Sequence, residues 1–278
     1  MTSRVLILDF GSQYTQLIAR RVRELKVFCE ILPCNAPLDK IKKFVAGALI
    51  LSGGPASVYD KEAPTADRGI LELGLPILGI CYGMQWLARE EGGKVEPGKV
   101  REYGPATTRL RKKEGIFANF EEEEIAVWMS HGDHVSKLPS GFEAYATSGN
   151  DLLAAIGDDR RKVFGLQFHP EVVHTPQGKK IIENFLFKVC GLKPDWSIAS
   201  FIDQKVKEIR ETVGKSKVLC AVSGGVDSSV MAVLIHKAIG NQLEAFFIDN
   251  GFLRKNEGDR VLELFKKNVG LNLRKIDA

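Results

Sequence analysis

The sequence lacks most features that would mark a secreted, metal-stapled or membrane-spanning chain. It has only five cysteines in 278 residues, at positions 29, 34, 81, 190 and 220. None forms a Cys-x-x-Cys pair and the spacing is irregular, so neither a zinc site nor a disulfide framework is implied. The odd count, with no signal-peptide pattern, points to a reducing cytoplasm. No apolar run approaches the roughly 18–20 residues that span a bilayer. Internal repeats and low-complexity tracts are missing. There is little excess charge: the net value is +4. That balance suits phosphate-bearing small molecules, and no basic stripe argues for nucleic acid.

What is present is ordinary globular material. Hydrophobic residues make up 44% and charged residues 27%, enough for packed cores and too apolar for disorder. The length fits about two domains. Arg4–Asp9, Ala48–Leu51 and Pro76–Ile80 are short apolar runs. Helical spacing over Tyr14–Leu25 and a helix running through Trp86 alternate with them. Continuous apolar strands between helices predict an α/β fold, with a mostly parallel central sheet flanked by helices. Residues 95–170 are richer in short strands and turns. Glu121–Glu124 reads as a solvated surface run. Gly178–Cys190 predicts a closing helix.

Gly191–Trp196 then reads as a linker. A helix follows, with apolar positions at Ile198, Phe201, Ile202, Ile209 and Val213, and a new strand–loop–helix starts at Lys217. The expected division is 1–191, a linker at 192–198, and a second Rossmann-like α/β unit at 199–278. About two strands and three helices fit in that second unit. So small a parallel sheet leaves its edges uncovered, and the unit is expected to be the front part of a larger domain.

Three segments carry chemistry in the first domain. Gly79-Ile-Cys81-Tyr-Gly83 lies between a strand and a helix, with small residues two positions either side of the cysteine. This is the pattern of a nucleophile elbow. The helix N-terminus favours a thiolate, the form that attacks carbonyls. Alone, the segment also fits a buried structural cysteine. In Phe168-His169-Pro170-Glu171, the proline favours extended backbone before it, so His169 and Glu171 point the same way. One carboxylate, one imidazole and one thiol make a triad in principle. Gly53 and Gly54 end a strand where backbone N–H groups can face an oxyanion. His131 and His134 are three apart, but no further ligand stands at a metal-site spacing.

Leu78-Gly-Ile-Cys-Tyr-Gly-Met-Gln85, Leu51-Ser-Gly-Gly-Pro55 and Phe168-His-Pro-Glu171 together resemble the signatures of class I glutamine amidotransferases, over about the first 190 residues. The resemblance implies that Cys81 attacks the glutamine carboxamide, His169 moves the proton and Glu171 holds His169. It also implies that Gly54 and Tyr82 donate N–H groups to the oxyanion, and that Gln85 binds glutamine. Met129-Ser130-His131-Gly132-Asp133 resembles a family segment lining the glutamine pocket.

In the second unit, Val218–Val222 runs into Ser223-Gly224-Gly225-Val226-Asp227-Ser228-Ser229 and then a helix. A glycine-rich loop entering a helix N-terminus cradles anions. It lacks the Gly-Lys-Ser/Thr ending of the Walker loop. The loop resembles the pyrophosphate loop of N-type ATP pyrophosphatases. That implies ATP bound by residues 223–229, with Asp227 reaching Mg²⁺. Phe246–Glu257 resembles the adenosine-side loop of such domains, making Asp249 a contact candidate. Arg254 is within reach of a phosphate.

An amidotransferase followed by this loop resembles the glutamine-hydrolysing GMP synthetase family. The resemblance implies ligase chemistry with glutamine, ATP and xanthosine 5′-monophosphate (XMP) as substrates, and a homodimer in the full-length form. Family members continue past this point, so these 278 residues are not expected to form GMP from XMP, MgATP and ammonium. Amidotransferases of CTP, carbamoyl phosphate or anthranilate synthesis, an RNA-modifying enzyme with the same loop, and a catalytically idle nucleotide-binding module are the competing classes.

Overall fold

The computed structural model describes residues 3–249, 251–271 and 273–277. Asn250, part of the expected adenosine-side loop, lies outside them. The chain divides into two compact units, Met1–Trp196 and Ser197–Ala278.

The first unit opens with β1 (Arg4–Asp9), α1 (Thr15–Glu24), β2 (Phe28–Pro33), α2 (Leu38–Phe44), β3 (Ala48–Leu51), β4 (Ile77–Ile80) and α3 (Tyr82–Glu90). It continues with β5 (Lys94–Leu110), β6 (Glu124–Lys137), β7 (Glu143–Ser148), β8 (Leu153–Asp158), β9 (Val163–Leu166) and α4 (Gly178–Glu183). Nine strands form one sheet in the order β2-β1-β3-β4-β9-β8-β7-β5-β6. The first five are parallel and the rest antiparallel.

Both faces of the parallel half are covered, as its continuous apolar strands require. Val5 and Ile7 join one core cluster with Ile18 and Val22 of α1 and Ile181 of α4. Leu6 and Leu8 join the other with Trp86 and Leu87 of α3. The C-terminal ends of β1, β3, β4 and β9 therefore meet at one edge, the usual ligand side of such a sheet.

Two local expectations change. The 95–170 region does hold short strands, β7 and β8 with six residues each and β9 with four, but it also holds two long ones: β5 has 17 residues and β6 has 14. The β5–β6 hairpin absorbs Pro97, Gly98, Gly104 and Pro105, with a register break between Pro97 and Glu102. The closing helix is α-helical only to Glu183 and continues as π-helix over Asn184–Val189.

The second unit contains α5 (Ile198–Val213), β10 (Val218–Val222), α6 (Val226–Ile239), β11 (Leu243–Asp249), α7 (Glu257–Val269) and β12 (Leu273–Asp277). Its parallel sheet has three strands, β10-β11-β12, where two were expected. Leu273–Asp277 hides from a hydropathy reading because four of its five residues are exposed. Pairing with β11 makes it a strand. Among the described residues, no helix is long and apolar enough to cross a membrane.

Candidate active site

Cys81 stands at the junction of β4 and α3. Its amide donates to the Leu166 carbonyl at 2.6 Å, extending the β4–β9 pairing by one residue. The chain must then reverse into α3 at once. Cys81 does this at φ 51° and ψ −106°, a region that side chains avoid and that costs on the order of 1–3 kcal/mol. Gly83 makes the turn possible: a Cβ there would lie 2.5 Å from the Leu51 carbonyl oxygen.

Three residues beyond β9, His169 reaches the same place. Its amide donates to the Trp128 carbonyl at 3.0 Å. Its own carbonyl accepts the Thr175 hydroxyl at 2.7 Å, and the Trp128 amide donates to that hydroxyl at 3.1 Å. Thr175 thus buckles the histidine backbone to β6. The His169 Nδ1 to Glu171 Oε1 distance is 2.7 Å. This occupies Nδ1 and leaves Nε2 as the ring atom available to the sulfur. Tyr14 packs edge-on against the imidazole, with ring centroids 5.1 Å apart. Glu171 is 1% exposed, and its Oε2 has no hydrogen-bond partner among the described residues. The carboxylate is therefore committed to the histidine.

Burial alone would push the His169 proton off. Interaction with Cys81 and then Glu171 outweighs burial and raises its pKa to about 10. Burial pushes the thiols of Cys29, Cys34, Cys190 and Cys220 upward, Cys29 to about 11. Such thiols are poor nucleophiles.

Cys81 and His169 open onto a cavity of about 660 Å³. Gly54, Tyr82, Gln85, Ser130 and His131 also line it. Gly53 sits beneath, its Cα side facing His169 and Cys81. Neither the Gly54 nor the Tyr82 amide takes part in a backbone hydrogen bond among the described residues. The structure thus gathers Cys81, His169, Glu171, Gly53, Gly54, Tyr82, Gln85, Ser130 and His131 in one place.

His131 is fixed more firmly than a pocket residue read from sequence suggests. Its Nε2 lies 3.1 Å from Glu102 Oε2, while Glu102 Oε1 accepts Ser148 Oγ and Asn150 Nδ2 at 2.8 Å each. Burial lowers the His131 pKa despite Glu102, and the ring, with Nδ1 2.9 Å from the Asp133 carbonyl oxygen, braces the wall. Opposite, Ser57 and Tyr59 hydroxyls donate to Asp133 at 2.5 and 2.6 Å, tying the loop after β3 to β6. Sequence reasoning missed Glu102, Ser57, Tyr59, Gln167 and Thr175. Strand pairing brings Glu102 and Gln167 to the site, and side-chain hydrogen bonds from loops bring Ser57, Tyr59 and Thr175.

In the second unit, Ser223–Ser229 leads from β10 into α6. Ser223 Oγ and Ser228 Oγ are 3.0 Å apart, and Ser229 Oγ donates to the Gly225 carbonyl at 2.7 Å. Gly224, Gly225 and Val226 are exposed, and Asp227 lies exposed in the first turn of α6. Asp249 ends β11. Its Oδ1 accepts the Gly251 amide at 3.0 Å and its Oδ2 pairs with Lys275 at 3.1 Å. These partners hold its pKa below the usual value, the Gly251 bond most of all. The Arg254 amide donates to Glu257 at 2.9 Å, starting α7.

Comparison with known proteins agrees with this geometry. The model of the family described as "Glutamine amidotransferase class-I" matches residues 6–189. The chain belongs to the class I glutamine amidotransferase family. Residues 197–277 of this amidotransferase match the model described as NAD synthase. The protein named GMP synthase [glutamine-hydrolyzing] from Carboxydothermus hydrogenoformans is 52% identical over 278 residues, which is all of this chain and 54% of the relative. The protein of the same name from Brachyspira hyodysenteriae is 54% identical over 275 residues, 99% of this chain and 53% of the relative. The amidotransferase therefore spans about half the length of the curated relatives it matches. A Thermoplasma acidophilum structure, provisionally assigned as one subunit of a GMP synthase, superposes with a TM-score of 0.61 at 30% identity, covering 76% of this chain and 98% of that one. A Thermotoga maritima glutamine amidotransferase shares the fold at a TM-score of 0.50 and 20% identity, covering 86% of this chain and 97% of its own.

Proposed function

We propose that this amidotransferase releases ammonia from glutamine at Cys81, and that the ammonia serves GMP synthesis. The carrying observation is the buried Glu171–His169 pair, 2.7 Å apart, beside Cys81 at the mouth of the large cavity. Cys81 Sγ attacks the carboxamide carbon, and its charge passes to the carbonyl oxygen. The Gly54 and Tyr82 amides are placed to hold that oxygen. As the tetrahedral species collapses, His169 gives its proton to the departing nitrogen and ammonia leaves. Water, deprotonated by the same imidazole, then hydrolyses the glutamyl thioester and returns Cys81. Glu171 keeps Nε2 turned to the sulfur throughout. Gln85, Ser130 and His131 form the glutamine-side wall.

The acceptor assignment rests on the named relatives and on the loop at 223–229. In this reading, ATP phosphates lie against Ser223, Gly224, Gly225, Val226, Ser228 and Ser229, and Asp249 stands on the nucleotide side. Asp227 fits Mg²⁺ arriving with ATP, since a solvent-facing carboxylate beside a phosphate cradle offers the oxygen ligand that ion favours. Magnesium supplies charge neutralisation on the pyrophosphate. In the full-length form, XMP is adenylated at O2 and ammonia displaces AMP, whereas these 278 residues carry the glutaminase half. The division into an amidotransferase domain at 1–191, a linker at 192–198 and a synthetase portion at 199–278 belongs to the same proposal, as do cytoplasmic location and a homodimer in the full-length form.

A diazoketone analogue of glutamine tests the first half without requiring turnover. Mass spectrometry is expected to find the label on Cys81, with glutamine protecting. Labelling elsewhere, or none on folded protein, sinks the assignment.

The pH profile follows from His169. Its pKa is raised to about 10, so the proton needed by departing ammonia is present at neutral pH and lost as pH climbs through that value. The same proton stabilises the fold fully below the unfolded histidine value of about 6.5, and that contribution fades between the two values. The kcat/KM profile for glutamate release is expected to show its alkaline limb near pH 10. Glu171→Gln, which removes one raising interaction, should move the limb to lower pH. An unmoved limb would show that another group governs it.

A further inference from the structure

Gln167 is the side chain nearest in kind to a second partner for the nucleophile. It is 1% exposed. It follows Leu166 on β9, whose carbonyl accepts the Cys81 amide, so the strand register sets it directly across from Cys81. Its carboxamide stands 3.7 Å from Cys81 Sγ.

Which end of that carboxamide faces the sulfur is decided by a chain of bonds. Gln85 lies one helical turn beyond Cys81. Its terminal group is 3.0 Å from the Asp133 backbone carbonyl. A carbonyl only accepts, so that group is the Gln85 NH₂. The same Nε2 lies 3.2 Å from Gln167 and can only donate there. The Gln167 atom receiving it is Oε1, and Nε2 of Gln167 is the end turned to the sulfur. With both hydrogens of Gln85 Nε2 engaged, Gln85 is left to meet glutamine through its own carbonyl oxygen.

We propose that Gln167 is a catalytic residue whose amide N–H donates to the Cys81 thiolate, and that Gln85 orients it through the Asp133 carbonyl. This deepens the glutaminase reading above and rests on it. The donor supports the sulfur anion before attack and again when the thioester breaks. Hydrogen bonds to charged groups are the stronger kind. In the neutral thiol the S–H turns instead to the Ser130 carbonyl, 3.7 Å away. Sulfur therefore has an acceptor for its neutral form and a donor for its charged form. The arrangement also links substrate to nucleophile, since glutamine meets Gln85 and Gln85 holds the group that holds the sulfur.

The test is Gln167→Met, which keeps the volume and removes the amide, assayed on the whole chain. The expected kcat for glutamate release falls about 10- to 100-fold, with KM for glutamine nearly unchanged. Alkylation of Cys81 by iodoacetamide at neutral pH, without glutamine and read at that cysteine by mass spectrometry, slows by a similar factor. A variant with normal alkylation overturns the proposal, whether or not its KM rises. If Gln167→Met does not fold, Gln85→Met carries the test. A residue serving only the substrate would leave alkylation of the free enzyme unchanged, whereas loss of the orienting bond slows it. Cys81→Ala separates the two readings. Retained glutamate release there removes the glutaminase assignment itself. Abolished release there, with normal alkylation in Gln167→Met, removes only the role of Gln167.

Discussion

Cys81→Gly abolishes glutamate release yet gives a more stable protein than Cys81→Ala. The activity loss is expected to be on the order of 10⁴-fold or more, since no other group near His169 can form the thioester. The stability order follows from backbone geometry. Cys81 sits at φ 51° and ψ −106°, where any Cβ is strained and glycine is not. Both substitutions remove the sulfur and its 3.7 Å contacts with Ser130 and Gln167, so those losses cancel in the comparison. What remains is the Cβ, whose strain is worth about 1–2 kcal/mol. Chemical denaturation of the two variants measures the difference. An alanine variant equal to or more stable than the glycine variant would mean the elbow is relaxed. The site would then hold its nucleophile without stored strain.

Gly178→Ala is expected to damage the site from outside it. Gly178 begins α4, and its amide donates to the Thr175 carbonyl at 2.9 Å. A Cβ at this position would run into the carbonyl oxygen of Pro170, with the Pro170 Cα also too near. Both atoms are backbone, so no rotamer relieves the clash. The chain must move, and the segment in the way is His169-Pro170-Glu171. The expected cost is about 2–4 kcal/mol of stability. Glutamate release should fall at least about 100-fold, as small misplacements of catalytic groups do. KM should change less than kcat, because the cavity wall on β6 is untouched. Thermal melts and steady-state kinetics read the two effects separately. Normal activity in a destabilised variant would show that α4 can yield while the histidine segment stays in place.

The parts legible in sequence are those whose local pattern is also their function. The Cys81 elbow needs small neighbours, and glycines at 79 and 83 announce it. His169 and Glu171 share a face because extended chain alternates. Strands β1, β3 and β4 and helix α1 appear as apolar runs and helical spacing close to their observed bounds, and α3 is anticipated but runs on past Trp86 to Glu90. Other features depend on partners distant in the chain. Gln167 is one polar residue beside the histidine segment, and only the β4–β9 register makes it a neighbour of Cys81. Glu102 lies far in sequence from both His131 and Ser148; the long β5–β6 hairpin brings up His131, and β7 pairing with β5 brings up Ser148. Gly178 looks like an ordinary helix start until the Pro170 carbonyl is seen against it. In the second unit, β12 escapes because its exposed side is charged, and its strand character comes from pairing with β11.

The β4–β9 pairing also orders events in time. Cys81 directly follows β4, whereas its proton partner follows β9, with the whole antiparallel excursion β5–β8 synthesised between them. Neighbouring strands in the sheet are thus far apart along the chain, and closing such a distance is a late and slow step of folding. A chain still emerging from the ribosome has the cysteine for a long stretch before the histidine exists to activate it. The reactive centre therefore comes into being together with the fold that encloses it, and an unfinished or misfolded copy carries only an ordinary thiol.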